Sequence, residues 1–319
     1  MNIRYAASET RENGTDLHWW RKRFLTHIAG RYFKQLKQSN SAPIHERDWD
    51  SLIILDACRY DLFDSLYADY DIPGELSKRE SLESGTPGFL RENFEDGQFH
   101  DTVYVTANAY VNTLLDANQF HKVIPVWKTD WDEELRTVTP EAMGRVARRV
   151  IDEYPDKRHV FHFVQPHEPF IGEERVGIRD ESAVRLRALG EDTPSRSDRK
   201  LTAFERLDRG ELSADEVWSA YRTNLERALP EVRSLLNEIP GKTVVTADHG
   251  EAFGEYATPF PIRVYGHPLG VFIPALTDVP FLEHQNGERR TVVSEPPKEM
   301  ESTDMEAANE RLRMLGYTE

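Results

Sequence analysis

The stretch Lys242-Thr243-Val244-Val245 runs straight into Thr246-Ala247-Asp248-His249-Gly250-Glu251. Its β-branched residues favour a strand, and the polar residues that follow set a carboxylate beside an imidazole at the strand's carboxyl end. Open α/β sheets build their ligand sites at that end. An Asp-His pair there offers one hard oxygen and one borderline nitrogen to a divalent cation. Taken alone, Asp-His-Gly is equally a polar turn that closes a strand, so its meaning depends on what the other strand ends deliver.

Three further segments deliver matching groups. Ser51-Leu52-Ile53-Ile54-Leu55 is a continuous apolar run that ends at Asp56, followed by Ala57-Cys58-Arg59-Tyr60-Asp61. His159-Val160-Phe161-His162-Phe163-Val164 ends in Gln165-Pro166-His167-Glu168-Pro169-Phe170, and Thr102-Val103-Tyr104-Val105 ends in Thr106-Ala107-Asn108. Each strand finishes in a residue able to bind a metal or an anion.

In this order, and together with Ser84-Gly85-Thr86-Pro87-Gly88 and Tyr265-Gly266-His267-Pro268, these pieces resemble the sulfatase branch of the alkaline phosphatase superfamily over roughly residues 48–277. Glu310-Arg311-Leu312-Arg313-Met314-Leu315-Gly316-Tyr317 is similar to the terminal helix of many sulfatase-like proteins. The resemblance implies one α/β domain with a mixed, mostly parallel central sheet sandwiched by helices. It also implies metal-dependent cleavage or transfer of a phospho- or sulfo-ester, with one divalent ion (Mn, Zn or Mg) as cofactor.

Composition sets bounds around that reading. A length of 319 residues suits one large domain, and a net charge of −16 opposes general binding to a phosphate backbone. With only ten Lys against thirty Arg on an acidic chain, a high-salt cytosol is one reading and an ordinary acidic enzyme the other. The single cysteine, Cys58, excludes an intramolecular disulfide framework. No run approaches the ~20 apolar residues of a membrane span, and no apolar leader is evident. The expected location is cytoplasmic, extending to the inner membrane surface.

Along the chain, residues 1–15 read as a loose terminus. Residues 16–40 read as a basic amphipathic helix, with Trp20, Phe24, Ile28, Tyr32 and Leu36 at helical spacing and no acid between 17 and 37. Such a helix either packs its aromatic stripe on the domain or makes peripheral contact with an anionic membrane. The catalytic domain is placed at 48–282, with a charged excursion or lid at 172–212 and a polar C-terminal segment at 283–319. Ser213 with Glu216 three residues on marks a capped helix leading toward the Asp248 strand.

The chemistry follows from these residues. An anionic ester repels an incoming nucleophile, and a metal answers by acidifying the nucleophile and neutralising the developing oxyanion. Asp56, Asp248 and His249 supply three ligands, with the nucleophile as a fourth. The resemblance implies an alkoxide or a formylglycine as nucleophile. The Cys/Ser-x-Pro-x-Arg signature of formylglycine enzymes is missing, and Cys58 reads as a packed thiol. Thr86, ahead of Pro87 at a predicted helix start, is the first candidate and Ser84 the second; an ordinary capping threonine is the bland alternative. A Thr nucleophile resembles that of phosphoglycerol and phosphoethanolamine transferases and favours phosphoryl over sulfuryl chemistry. His167 and His267 match positions near the transferred group and are assigned to catalysis and substrate binding. Arg59 and Asn108 are further substrate-binding candidates, with a salt bridge to Asp61 or a turn cap as alternatives. His162 reads as buried structure. The expected partner is a phospho- or sulfo-ester on a glycan or lipid, and not a nucleic acid. The rivals are a sulfatase acting on a sulfated glycan and a catalytically silent protein that binds anionic glycans or a membrane.

Overall fold

The computed structural model describes residues 14–37, 41–176, 183–191 and 200–297. Strands β1 (Ser51–Leu55), β2 (Glu75–Glu80), β3 (Phe99–Thr106), β4 (Phe120–Pro125), β5 (Arg158–Phe163), β6 (Gly241–Ala247) and β9 (Asp278–Asn286) form one sheet, in the order β2-β9-β6-β1-β5-β3-β4. The five from β6 to β4 are parallel. β9 runs antiparallel to β6, and β2 antiparallel to β9. Strands β7 (Ala252–Tyr256) and β8 (Arg263–Gly266) make a separate two-stranded unit. The mixed, mostly parallel sheet expected from the sequence is present.

The apolar run of β1 is explained by burial on both faces, as a parallel strand requires. Ile53 and Leu55 join Phe63 of helix α3 (Tyr60–Leu66), Val146 of α5 (Pro140–Glu153) and Tyr221 and Leu225 of α8 (Ala214–Glu238). Leu52 and Ile54 join Phe89, Leu90 and Phe94 of α4 (Thr86–Phe94) on the opposite side. Each such side chain contributes about 1.5–3 kcal/mol by leaving water. Helix α8 starts as its sequence predicts. Ser213 accepts from the Glu216 backbone, and the Glu216 carboxylate returns to the Ser213 backbone.

Three flanking segments take a form that their residue pattern did not specify. The N-terminal rod, α1 (Leu17–Phe24) and α2 (Gly30–Leu36), is joined by a π-helical turn over Leu25–Ala29. That turn shifts the helical phase. The face buried on the domain carries Trp19, Leu25, Ala29 and Phe33, with Phe24 of the expected stripe packed beside them, while Trp20, Ile28, Tyr32 and Leu36 of that stripe are exposed. The polar stretch after residue 283 starts within the sheet, because β9 continues through Asn286, and beyond it Arg289 and Arg290 tie the mostly exposed chain to Asp50. The charged excursion carries two helices in its described part, α6 (Ala183–Leu189) and α7 (Ala203–Asp208). Phe204 and Leu207 of α7 are buried in the main core. The predicted terminal helix at Glu310–Tyr317 and most of the loose N-terminus lie outside the described residues.

Candidate metal centre and nucleophile

Strand register brings the two carboxylates together. Leu55 pairs with Ala247 across β1 and β6, so Asp56 and Asp248 leave the same edge of the sheet side by side. Both are buried. His249 Nε2 lies 3.6 Å from Asp56 Oδ1 and 3.5 Å from Asp248 Oδ2. Its Nδ1 faces the Gly250 carbonyl at 2.8 Å, so that nitrogen carries the proton and Nε2 turns its lone pair to the carboxylates. A backbone carbonyl on the far nitrogen is the usual way a metal-binding imidazole is oriented.

Thr86 completes the cluster. Gly85, not Thr86, caps α4, and Pro87 takes the early position that suits a residue without an N–H. The Thr86 hydroxyl therefore has no capping duty. It donates to Asp248 Oδ2 at 2.7 Å and lies 3.3 Å from His249 Nε2. It sits at the positive end of α4, where an anionic group is favoured. Ser84, the second candidate, is held elsewhere: it donates to the Pro268 carbonyl and accepts from Gly270 N.

The loop after β1 is shaped for this purpose. Ala57 adopts φ 59°, a left-handed conformation costly for a residue with a Cβ. Its N–H donates to Asp248 Oδ1 at 3.0 Å and its carbonyl accepts from Tyr221 Oη at 2.5 Å. Burial by itself would raise the Asp248 carboxyl, but His249, His162, the Ala57 N–H and the Thr86 hydroxyl together hold it below the usual carboxylate range. Burial also keeps the His249 imidazole below its ordinary value, against the pull of Asp248.

A pocket opens beside the cluster, lined by Asp56, Thr86, Asn108, Trp127, His167 and His267 among others. His267 Nδ1 meets Glu251 Oε1 at 2.8 Å, and its ring lies 4.5 Å from that of His249 and 5.1 Å from that of His167. Glu251, part of the opening motif but given no role there, is fully buried and orients His267. Asn108 donates to Asp56 Oδ2 at 2.7 Å, so it positions that carboxylate at the pocket wall. Arg59 is not brought into the pocket. Its guanidinium is taken up by Asp61 at 2.6 Å and Glu255 at 2.5 Å. Burial opposes its charge, but these two carboxylates raise its pKa further. Cys58 is a packed thiol in the core, its pKa pushed well up by burial.

One group was missed from the sequence. His162, assigned to structure, reaches the same cluster with Nε2 4.0 Å from Asp248 Oδ2, and burial lowers its pKa to about 4. That nitrogen is buried without a hydrogen-bond partner, a condition that costs about 1–3 kcal/mol. Ligand-type atoms of Asp56, His162 and Asp248 all lie within 4.8 Å of one another. An orphaned ring nitrogen facing two buried carboxylates fits a bound divalent cation, which would relieve both conditions at once. No sequence signal marks His162, since an imidazole within an apolar strand reads as core.

No family model matches the sequence, and no curated protein does. Solved structures do match. The integral membrane lipooligosaccharide phosphoethanolamine transferase EptA of Neisseria meningitidis is 11% identical, with a TM-score of 0.45 over 88% of this chain and 58% of its own. The C-terminal periplasmic domain of the phosphoethanolamine transferase EptC of Campylobacter jejuni is 16% identical, with a TM-score of 0.42 over 73% and 77%. The phosphoglycerol transferase GacH of Streptococcus pyogenes, in complex with sn-glycerol-1-phosphate, is 10% identical, with a TM-score of 0.39 over 92% of each chain. This chain thus spans little more than half the length of the EptA transferase. The cytoplasmic location expected from the sequence is corrected, because EptC of both C. jejuni and Escherichia coli was solved as a periplasmic domain. Among the described residues no helix is long and apolar enough to cross a membrane. The matched structures are phosphoethanolamine and phosphoglycerol transferases and other members of the alkaline phosphatase superfamily, the branch that the motif order resembles.

Proposed function

We propose that the chain is a metal-dependent enzyme that cleaves or transfers a phosphoester through a covalent intermediate on Thr86. The observation that carries this is the Thr86 hydroxyl, free of capping and hydrogen-bonded to Asp248 beside His249. Asp56, Thr86, Asp248 and His249 are the residues that would hold the ion. When bound, a divalent cation supplies a lowered hydroxyl pKa and charge neutralisation at the ester oxygens.

The chain's own residues account for the rest. Thr86 Oγ1 bonds to phosphorus as the bond to the leaving oxygen breaks, and the hydroxyl proton leaves along its hydrogen bond to Asp248. His267, fixed by Glu251, donates a proton to the departing oxygen. His167 and Asn108 line the space where the ester sits. Water arriving at the phosphorylated Thr86 gives a hydrolase; a sugar or lipid hydroxyl gives a transferase. An unmodified Thr lacks the elimination route by which formylglycine discharges sulfate, which supports phosphate over sulfate.

Matched aryl phosphodiester, phosphate and sulfate substrates under Mn²⁺, Zn²⁺ and Mg²⁺ test this. Turnover of a phosphoester that vanishes in Thr86→Ala supports the proposal. Preference for the sulfate supports the sulfatase rival, and tight metal binding without turnover of any ester supports the silent one.

A second reading concerns the N-terminal rod. Leu17, Trp20, Ile28 and Leu36 present an apolar stripe outward on a segment with no acidic residue between 17 and 37. That combination suits contact with an anionic lipid surface. Flotation with phosphatidylglycerol vesicles should be lost in Trp20→Glu/Ile28→Glu, and unchanged flotation in that variant removes this reading.

A further inference from the structure

His162 stands in register with Ile54 of β1 and Thr106 of β3, one residue short of the sheet edge where Asp56 and Asp248 emerge. It shares the alternation of Val160, whose side chain packs with Leu52, Ile54, Tyr104 and helix α4. The face that carries His162 is thus the face from which Thr86 approaches. Its two ring nitrogens have different neighbours. Nδ1 lies 3.0 Å from Tyr104 Oη, and Nε2 faces Asp248 at 4.0 Å with no hydrogen-bond partner. The Tyr104 hydroxyl is itself fully buried, with burial pushing its pKa well up, so it remains a neutral partner.

A buried polar nitrogen left unpaired calls for a specific reason. Atoms bound to one ion at about 2.0–2.2 Å can lie no more than about 4.4 Å apart, and the observed 4.0 Å between His162 Nε2 and Asp248 Oδ2 falls inside that limit. A histidine kept only for packing gains nothing from facing two carboxylates.

We propose that His162 is a direct ligand of the bound cation through Nε2, held in that orientation by Tyr104. This rests on the reading that Asp56, Thr86, Asp248 and His249 bind a divalent ion. It adds a second imidazole to the ligand set, and that imidazole favours Zn²⁺ over Mg²⁺, whose preferred partners are carboxylates and water. Tyr104 is then a positioning residue that acts through the imidazole.

The test is metal binding by the full chain, read without any substrate. Zn²⁺ and Mg²⁺ affinities are measured by competition titration for the wild type, His162→Gln, Tyr104→Phe, His267→Gln and Asp248→Asn. The imidazoles around bound zinc are counted by X-ray absorption. Expected are two imidazoles in the wild type and in His267→Gln, and one in His162→Gln. Zinc affinity should fall at least 100-fold in His162→Gln and about 10- to 100-fold in Tyr104→Phe, with a much smaller change for Mg²⁺. A wild-type count of one, or a count of two that His267→Gln lowers and His162→Gln does not, overturns the assignment. Equal losses for both metals also overturn it, by reducing His162 to support of Asp248. If His162→Gln does not fold by circular dichroism, the wild-type, His267→Gln and Tyr104→Phe data decide. Failure of the underlying site looks different: zinc would then bind the wild type and Asp248→Asn alike, or neither.

Discussion

The Thr86 hydroxyl donates to Asp248 Oδ2 at 2.7 Å across 162 residues of sequence. The bond joins the start of α4 to the end of β6, and it gives the hydroxyl a partner that is itself a candidate metal ligand. A threonine that merely capped its helix would accept from an N–H of its own first turn.

Replacement of Thr86 therefore separates chemistry from folding. Because Gly85 is the cap, Thr86→Ala should cost no more than its one buried hydrogen bond to Asp248, about 1.5–3 kcal/mol, while phosphoester turnover drops by about 1000-fold or more, the scale on which single catalytic groups act. Thr86→Ser keeps an oxygen in place and should retain part of the activity. Mass spectrometry of acid-quenched wild type should find a phosphorylated peptide containing Thr86, and undiminished turnover in Thr86→Ala rules out the covalent route.

Gly250 supports the motif by being small. A Cβ there would collide with the Ala275 carbonyl, which is backbone and cannot step aside, and would press on Arg59 Cγ. Gly250→Ala should cost about 1–3 kcal/mol in urea unfolding, as overpacking does, and should displace His249 enough to weaken zinc binding. Wild-type stability in this variant would show that the loop is softer than its contacts suggest.

Tyr221 holds the left-handed Ala57 from below. Its fully buried hydroxyl donates to the Ala57 carbonyl and accepts from the partly buried Arg59 N–H at 2.9 Å. Tyr221→Phe strands both backbone groups, so a loss of about 2 kcal/mol or more is expected. Metal affinity should fall in parallel, because the Ala57 N–H no longer steadies Asp248. Unfolding titrations with and without zinc measure both effects.

His159 sets part of the acid response. Burial, helped by the Arg290 charge, holds its pKa at about 3, against an ordinary value of 6.5. The native chain thus refuses a proton that the unfolded chain accepts. Stability from this residue is complete above pH 6.5 and declines as pH falls toward 3, by at most about 1.4 kcal/mol per pH unit. Measured between pH 4.5 and 7.5, unfolding free energy should fall less steeply on acidification in His159→Asn than in the wild type. Parallel curves would remove His159 from the account.

How much was legible from the sequence depended on the kind of signal. The buried parallel strands announced themselves through continuous apolar runs, as in Ser51–Leu55, and the capped helix at Ser213 through its box with Glu216. The edge strand β2, Glu75–Glu80, carries mostly charged and polar residues and gave no such signal. Edge strands are protected from further pairing in just this way. In the N-terminal rod the period left open whether the stripe packs inward or faces outward, and a π-helical turn at Leu25–Ala29 adds a phase shift that no residue pattern announces. Arg59 was offered either to the substrate or to a salt bridge with Asp61; it makes the salt bridge and adds a second to Glu255, 196 residues away, which no local pattern marks.

From the sequence alone came the α/β class, the strand ends that bear Asp56 and Asp248, and a threonine placed at a helix start. These are local properties, set by side-chain periodicity and by the chemistry of neighbouring residues. Only the folded chain decided that His162 joins the carboxylates, that Glu251 holds His267, and that Thr86 reaches Asp248. Each of these depends on the register of strands far apart in sequence. Pairing free energy is spread over whole strands and core faces, so no single motif encodes which side chains will meet.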